Sequence, residues 1–81
     1  MALQLQRRHT RWPMSVTPEE KLEFLRLALE LGAEVKTFYK SRRVVAVDMA
    51  SERYVLITYE DGGVDKLHMT DFGRRRFVVV L

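Results

Sequence analysis

The chain has 81 residues and a mass of 9.6 kDa, which allows one small domain with a single core. Hydrophobic residues make up 47% and charged residues 31% of the chain, a mixture typical of a globular domain rather than a disordered one. The absence of cysteine excludes a disulfide framework, a thiolate zinc site and a thiol nucleophile. A net charge of +3 is mildly basic, and no apolar run reaches the roughly 18 residues of a membrane span. We therefore expect a cytoplasmic protein without a cofactor, a metal site or a membrane partner.

The first 16 residues form a segment that contains no acidic residue. The segment is rich in arginine, yet it has no apolar stretch of the length that a signal peptide requires. We interpret residues 1–16 as a basic N-terminal arm and residues 17–81 as a single α+β domain. The basic and aromatic residues of the arm that we expect to bind a partner are Arg7, Arg8, Arg11 and Trp12.

A helix is predicted immediately after this arm. Thr17-Pro18-Glu19-Glu20 combines a hydroxyl at the N-cap, proline at the first helical position and glutamate at the third. The apolar residues that follow recur at helical spacing. Gly32 is suited to end the helix, since it adopts the left-handed conformation without strain. The sequence therefore predicts a helix over residues 18–31, with a broad apolar face formed by Leu22, Phe24, Leu25, Leu27, Ala28, Leu29 and Leu31.

Strands are predicted after Gly32, where hydrophobic residues alternate with a period of two. Asp61-Gly62-Gly63 separates two of these runs and is a strong hairpin signal, because glycine supplies the positive φ angles of tight turns. The last run is apolar at every position, so that both of its faces require cover. The predicted strands are Ala33–Lys40, Arg43–Met49, Arg53–Glu60, Val64–Thr70 and Phe77–Leu81.

The order of these elements predicts an α+β fold, in which one N-terminal amphipathic helix packs on a four- to five-stranded antiparallel sheet. The second half of the chain carries Val45-Ala46-Val47-Asp48, then Tyr54-Val55-Leu56-Ile57-Thr58-Tyr59 and then Asp61-Gly62. Over this segment the chain resembles the small SH3-like barrels of the Tudor and KOW type. The resemblance implies a sheet curled into a small barrel, with aromatic residues at the strand ends that bind methylated side chains or nucleic acid.

The sequence does not indicate catalytic chemistry, because a catalytic site needs a nucleophile, a base or a metal held within mutual reach. The two histidines, His9 and His68, share no metal-ligand spacing. His9 lies among arginines, and His68 is expected to be a solvated strand residue. No helix is predicted directly after Gly62-Gly63, so this pair does not form a phosphate-binding loop. We therefore expect a protein that is not an enzyme and has no catalytic residues.

Positive charge is concentrated in three clusters: one in the arm, one between residues 36 and 43, and one at residues 74–76. Alternation in the first strand places Lys36, Phe38 and Lys40 on one face, a combination that suits phosphates together with stacking bases. The alternative for Phe38 is a place in the core, with the lysines extending past it to solvent. Besides the arm residues named above, the expected binding residues are Lys36, Phe38, Lys40, Arg42, Arg43, Arg74, Arg75 and Arg76.

Two functions are compatible with this pattern. The first is a small non-enzymatic binding or regulatory protein that contacts a nucleic acid or a nucleoprotein complex through basic and aromatic surfaces. The second is a small protein-binding inhibitor of a host or defence machine, comparable in size and character to anti-CRISPR phage proteins, that does not bind nucleic acid itself. The apolar strand at residues 77–81 also permits a homodimer, because an uncovered strand of this kind otherwise favours aggregation.

Overall fold

The computed structural model describes residues 16–80. Their elements in chain order are α1 (Pro18–Glu30), β1 (Glu34–Thr37), β2 (Arg43–Met49), β3 (Tyr54–Tyr59), β4 (Val64–His68), α2 (Met69–Arg74) and β5 (Phe77–Val80). The strands form one antiparallel sheet in the order β4-β3-β2-β1-β5. The predicted α+β architecture is confirmed. The sheet is open, with β4 and β5 at its two edges, so the SH3-like barrel implied by the resemblance is not confirmed.

Helix α1 begins as the sequence predicts. The Glu20 backbone N–H donates to Thr17 Oγ1 at 3.1 Å, and the Thr17 N–H donates to Glu20 Oε1 at 3.0 Å, which is the expected capping box. The helix ends at Glu30, one residue before the predicted end, and Gly32 follows with a φ of +83°.

The core lies between α1, α2 and one face of the sheet. Two residues of the predicted apolar face of α1, Leu27 and Leu31, are 41% and 64% exposed, so the buried face is narrower than predicted. The reason is geometric: α1 packs on β1 and β2, and Leu27 and Leu31 lie to the side of this contact, where they face solvent. The buried apolar residues are Leu22, Phe24, Leu25, Ala28, Ala33, Val35, Val44, Val47, Val55, Ile57, Tyr59, Phe72, Phe77 and Val79.

Strand β1 is shorter than the predicted strand Ala33–Lys40. It ends at Thr37, and the chain turns through residues 38–41 before β2 begins. The Thr37 hydroxyl donates to the Tyr39 carbonyl at 2.6 Å and accepts from the Arg42 N–H at 3.0 Å. A side chain that bonds to the backbone in this way closes a turn in place of further strand pairing. Phe38 and Lys40 therefore lie in a turn, and the predicted strand face that joined them to Lys36 is wrong.

Helix α2 is not among the predicted elements: the predicted strand Val64–Thr70 covers its first two residues, and residues 71–74 are assigned to no element. The strand ends at His68, whose Nδ1 accepts from the Thr70 N–H at 3.1 Å and so caps α2. His68 is half-buried and its ring lies edge-on to Tyr54, which corrects the expectation of a solvated strand residue. Phe72 is the buried residue that holds α2 against the core. Neither α1 nor α2, the helices within residues 16–80, has the length and apolar character needed to cross a membrane.

Strand β5 lies at the edge of the sheet and pairs, within the described range, with β1 alone. Phe77 and Val79 are buried against the core, whereas Val78 and Val80 are half-buried on the opposite face. The predicted strand Phe77–Leu81 is therefore an edge strand over Phe77–Val80, and Leu81 lies outside the described residues.

Candidate functional site

The fold brings two of the predicted basic clusters together at one end of the sheet. The turn after β1 and the link between α2 and β5 are joined by a hydrogen bond from the Phe38 N–H to the Arg76 carbonyl, at 3.0 Å. The turn after β3 lies beside them, since the Glu60 N–H donates to the Arg43 carbonyl at 2.9 Å. We call this region, formed by residues 38–43, 60–65 and 74–76, the hairpin end. Residues that are more than 30 positions apart in sequence meet there.

Three arginines of the hairpin end are each paired with a carboxylate. The nitrogen–oxygen distances are 3.3 Å for Arg42–Asp61, 3.4 Å for Arg43–Glu60 and 3.6 Å for Arg75–Asp65. Exposed pairs of this kind add between zero and about 1 kcal/mol each to stability. Their main effect is to neutralise the three carboxylates of this region.

Arg42 packs on Tyr59, the last residue of β3, at the border of the hairpin end. The Arg42 guanidinium carbon lies 3.8 Å from the centroid of the Tyr59 ring, in a cation–π arrangement. Gly63 leaves the room for this arrangement, because a Cβ there would collide with the Arg42 guanidinium. The Tyr59 hydroxyl donates to Asp65 Oδ2 at 2.6 Å, and burial together with this bond raises the pKa of Tyr59 above its usual value of 10.0. The pKa of Asp61 is lowered mainly by the hydrogen bond that the Gly63 N–H donates to its carboxylate, and to a smaller extent by Arg42.

Three cations of the hairpin end have no carboxylate within ion-pair distance among residues 16–80. These are Lys40, Arg74 and Arg76. The Arg76 guanidinium lies 5.8 Å from the Phe38 ring, and Phe38 meets Tyr39 edge-on at 5.3 Å. Tyr39 is 73% exposed at the tip of the turn. The tip thus combines an open aromatic ring with unbalanced positive charge.

The turn that carries these groups has an unusual backbone. Lys40 and Ser41 have φ angles of +65° and +49°, in the left-handed region that only glycine enters at low cost. Strain of this kind, in the range of about 1–3 kcal/mol per residue, is concentrated at functional sites. Here the two left-handed residues lie beside Tyr39, at the exposed tip of the turn.

Lys21 supports the hairpin end from inside the domain. It is 3% exposed, and its Nζ donates to the carbonyls of Gly73 at 2.9 Å and Arg75 at 2.6 Å. Burial lowers the pKa of Lys21 from 10.5 to about 8. Because its partners are the main-chain oxygens of the segment that carries Arg74 and Arg76, Lys21 fixes the path of that segment.

Lys21 was missed at the sequence level, although a signal was present. It precedes Phe24 and Leu25 by three and four positions, and therefore lies on the apolar face of the helix. Tyr39 was missed because the predicted strand Ala33–Lys40 is too long, and its alternation places Tyr39 on the other face from Lys36 and Lys40. The first turn of α1 also borders this region, since Pro18 is packed closely against Gly73.

The other predicted binding residues are placed less favourably or are outside the described range. Lys36 lies on β1 and is paired with Glu34 at 3.6 Å, on the sheet face away from α1. Arg42, Arg43 and Arg75 already have carboxylate partners, as given above. Arg7, Arg8, Arg11 and Trp12 lie outside the described residues.

The described residues contain no group of three or more histidine, aspartate or glutamate side chains that is arranged to hold a metal ion. Comparison of the chain with family models, with curated proteins and with solved structures found no match. The assignment of a function therefore depends on the chemistry of the hairpin end.

Proposed function

We propose that this protein is a non-enzymatic binding module whose hairpin end contacts a nucleic acid strand, either free or within a nucleoprotein complex. The observation that carries the proposal is the junction of the basic turn after β1 with the basic segment before β5, through the Phe38–Arg76 hydrogen bond. Because internal pairs neutralise the carboxylates nearby, Lys40, Arg74 and Arg76 are available to phosphates.

The exposed ring of Tyr39 favours a strand whose bases are accessible over a fully paired duplex. Stacking of a base on an aromatic side chain contributes about 1–3 kcal/mol and is tolerant of sequence. The surrounding cations contribute affinity that falls as salt rises, since each neutralised phosphate releases counterions. We therefore expect tighter binding to single strands than to duplexes, with little sequence preference.

The first test is fluorescence anisotropy of labelled single-stranded and duplex oligonucleotides, DNA and RNA, titrated with the full chain at about 50 and 200 mM salt. We expect the single strands to bind more tightly and the affinity to fall with salt, with a slope of at least about 2 from the three open cations. Absence of binding at the lower salt concentration would contradict the proposal.

Matched variants locate the contact on the hairpin end. The pair K40Q/R76Q removes two of its open cations, and R26Q/R53Q removes two exposed arginines elsewhere, so that both change the net charge equally. We expect K40Q/R76Q to lower the salt slope by about 1.4 and R26Q/R53Q to leave it nearly unchanged. Equal effects of the two pairs would show that overall charge, and not the hairpin end, determines binding.

Y39A tests the stacking contribution separately from charge. It removes an exposed ring, so we expect little change in stability but a loss of affinity of about 5- to 150-fold for single strands. Replacement by phenylalanine keeps the ring and is expected to retain the affinity. Unchanged binding by Y39A would restrict the interaction to phosphates.

A second candidate function, binding to a basic protein partner, is favoured by one observation on α1. Leu27 and Leu31 are exposed one helical turn apart, on a helix that also exposes Glu23 and Glu30. An apolar pair flanked by carboxylates suits a basic amphipathic segment of another protein. The variant L27Q/L31Q would weaken that interaction and leave oligonucleotide binding unchanged.

A further inference from the structure

We propose that β5 pairs with the β5 strand of a second copy of this chain, joining two five-stranded sheets into one of ten strands. This inference goes beyond nucleic acid binding and does not depend on it. It starts from a difference between the two edges of the sheet. Edge strand β4 contains Asp65 and Lys66, whereas β5 consists of phenylalanine and three valines, without charge, proline or bulge. Charged side chains protect an edge from pairing with other chains, and β5 has none.

The hydrogen bonds of β1 show which backbone groups of β5 point outward. The Phe38 N–H donates to the Arg76 carbonyl, whereas the Thr37 N–H donates away from β5, to Arg42. Since bonding alternates along an antiparallel pair, Val78 and Val80 bond toward β1. The N–H and C=O groups of Phe77 and Val79 therefore face the open edge.

These outward groups are arranged symmetrically about Val78. A two-fold axis at Val78 places Phe77 of one copy opposite Val79 of the other, and both pairs can exchange two hydrogen bonds. Val78 then lies opposite Val78 of the second copy at a position without hydrogen bonds, where the Cα atoms are about 4.5 Å apart. Its half-buried side chain faces away from the core, so the two valines contact each other across the axis.

Charge complementarity supports the same alignment. With the axis at Val78, Arg76 lies opposite Val80 of the second copy, and Val80 is the register partner of Glu34. These residues share the sheet face away from α1, and neighbouring strands lie about 4.8 Å apart. Arg76 is then about 10 Å, measured between Cα atoms, from Glu34 of the other copy, within reach of two extended side chains. Glu34 pairs with Lys36 of its own chain as well, so that the three groups form a small ionic cluster. The symmetry generates this cluster twice, and dimerisation competes with phosphate for Arg76.

Sedimentation equilibrium of the full chain, from about 1 to 200 µM, tests the proposal. We expect the wild type to approach the dimer mass, and both V78K and V78E to sediment as monomers because like charges meet at the axis. An equimolar mixture of V78K and V78E is expected to form dimers again. The control is V64K, since Val64 is exposed on the opposite edge, and it should retain the dimer. A wild type that remains monomeric, or a V78K variant that still dimerises, would overturn the proposal.

A single introduced cysteine tests the alignment directly. The chain contains no cysteine, so V78C provides one thiol per molecule. At the expected Cα separation the two thiols of a dimer can form a disulfide. We expect V78C to oxidise to a covalent dimer at least ten-fold faster than V64C. Equal rates for V78C and V64C would exclude an axis at Val78.

Discussion

The ammonium group of Lys21 is buried against main-chain carbonyls, where desolvation lowers its pKa to about 8. In the unfolded chain the pKa returns to its usual 10.5. Between these two values the unfolded chain binds more protons than the folded one. The free energy of unfolding must therefore rise with pH across this window.

We expect the free energy of unfolding to rise by roughly 2 kcal/mol between pH 8 and pH 10, as measured by urea unfolding followed by circular dichroism. The variant K21M has no group that titrates at this position, so its stability should be flat over the same range. Tyr59 does not interfere, because its pKa is raised and its ionisation lowers the free energy of unfolding only above pH 10.

The matched control for this experiment is K66M, which removes an exposed lysine instead of the buried one. It should retain the rise with pH. If K21M shows the same rise as the wild type, the pH dependence comes from another group and the role assigned to Lys21 is wrong.

At the scale of the elements, the two turns at the hairpin end use different residues for the same backbone requirement. The turn after β3 places Gly62 at a φ of +88°, whereas the turn after β1 places Ser41 at +49°. A non-glycine residue in the left-handed region costs about 1–2 kcal/mol, and glycine costs about 0.5–1 kcal/mol in lost chain entropy. The net preference for glycine at such a position is therefore small and positive.

We expect S41G to increase the free energy of unfolding by up to about 1 kcal/mol, and the reverse substitution G62S to decrease it by a similar amount. A Cβ at Gly62 meets no atom within 4 Å, so the effect of G62S is conformational and not steric. Urea unfolding of both variants provides the measurement. A loss of stability in S41G would show that the hydroxyl of Ser41, and not its backbone conformation, determines what this position contributes to stability.

Local signals predicted α1 and the hairpin strands, because these signals depend on residues that are neighbours in sequence, whereas the short helix α2 was not predicted. The capping box at Thr17, the positive φ of Gly32 and the β2 strand Arg43–Met49 are all confirmed. The end of β1 was wrong because the Thr37 hydroxyl competes with strand pairing, which residue alternation does not reveal.

The candidate site could be predicted only in part, because its assembly depends on long-range contacts. The basic character of residues 36–43 and 74–76 was visible, but their junction depends on pairing between β1 and β5. The carbonyl groups that accept from Lys21 are more than 50 positions away in sequence. The carboxylates that pair with Arg42, Arg43 and Arg75 belong to other strands and turns. Sequence spacing contains no information about these distances.

Over the described domain as a whole, the exposed cations without a carboxylate partner and the exposed carboxylates of α1 lie on different elements. The hairpin end carries the open cations, whereas the exposed face of α1 carries Glu19, Glu23 and Glu30. At physiological ionic strength a charge is screened beyond about 8 Å, and at about 10 mM salt the corresponding length is roughly 30 Å. The described domain measures 29 × 28 × 22 Å, so low salt allows every charge to act on a ligand at the hairpin end.

This arrangement predicts that, at physiological salt, the affinity for an oligonucleotide depends more on where a carboxylate is removed than on the net charge. The variant E30Q/E52Q removes two carboxylates at the end of the domain opposite the hairpin end, since Glu30 ends α1 and Glu52 lies between β2 and β3. Along α1, Glu30 is about 18 Å from Pro18, which packs against Gly73 beside the hairpin end. The variant E19Q/E23Q changes the net charge equally but removes carboxylates from the first half of α1.

At about 150 mM salt we expect E30Q/E52Q to change the affinity for a single-stranded oligonucleotide by less than about two-fold, because the distance exceeds the screening length. At about 10 mM salt both variants should bind several-fold more tightly than the wild type, since the screening length then spans the domain. At 150 mM salt E19Q/E23Q should show the larger gain of the two. If E30Q/E52Q improves binding as much as E19Q/E23Q at the higher salt, the ligand contacts the opposite end, and the hairpin end is not the binding site.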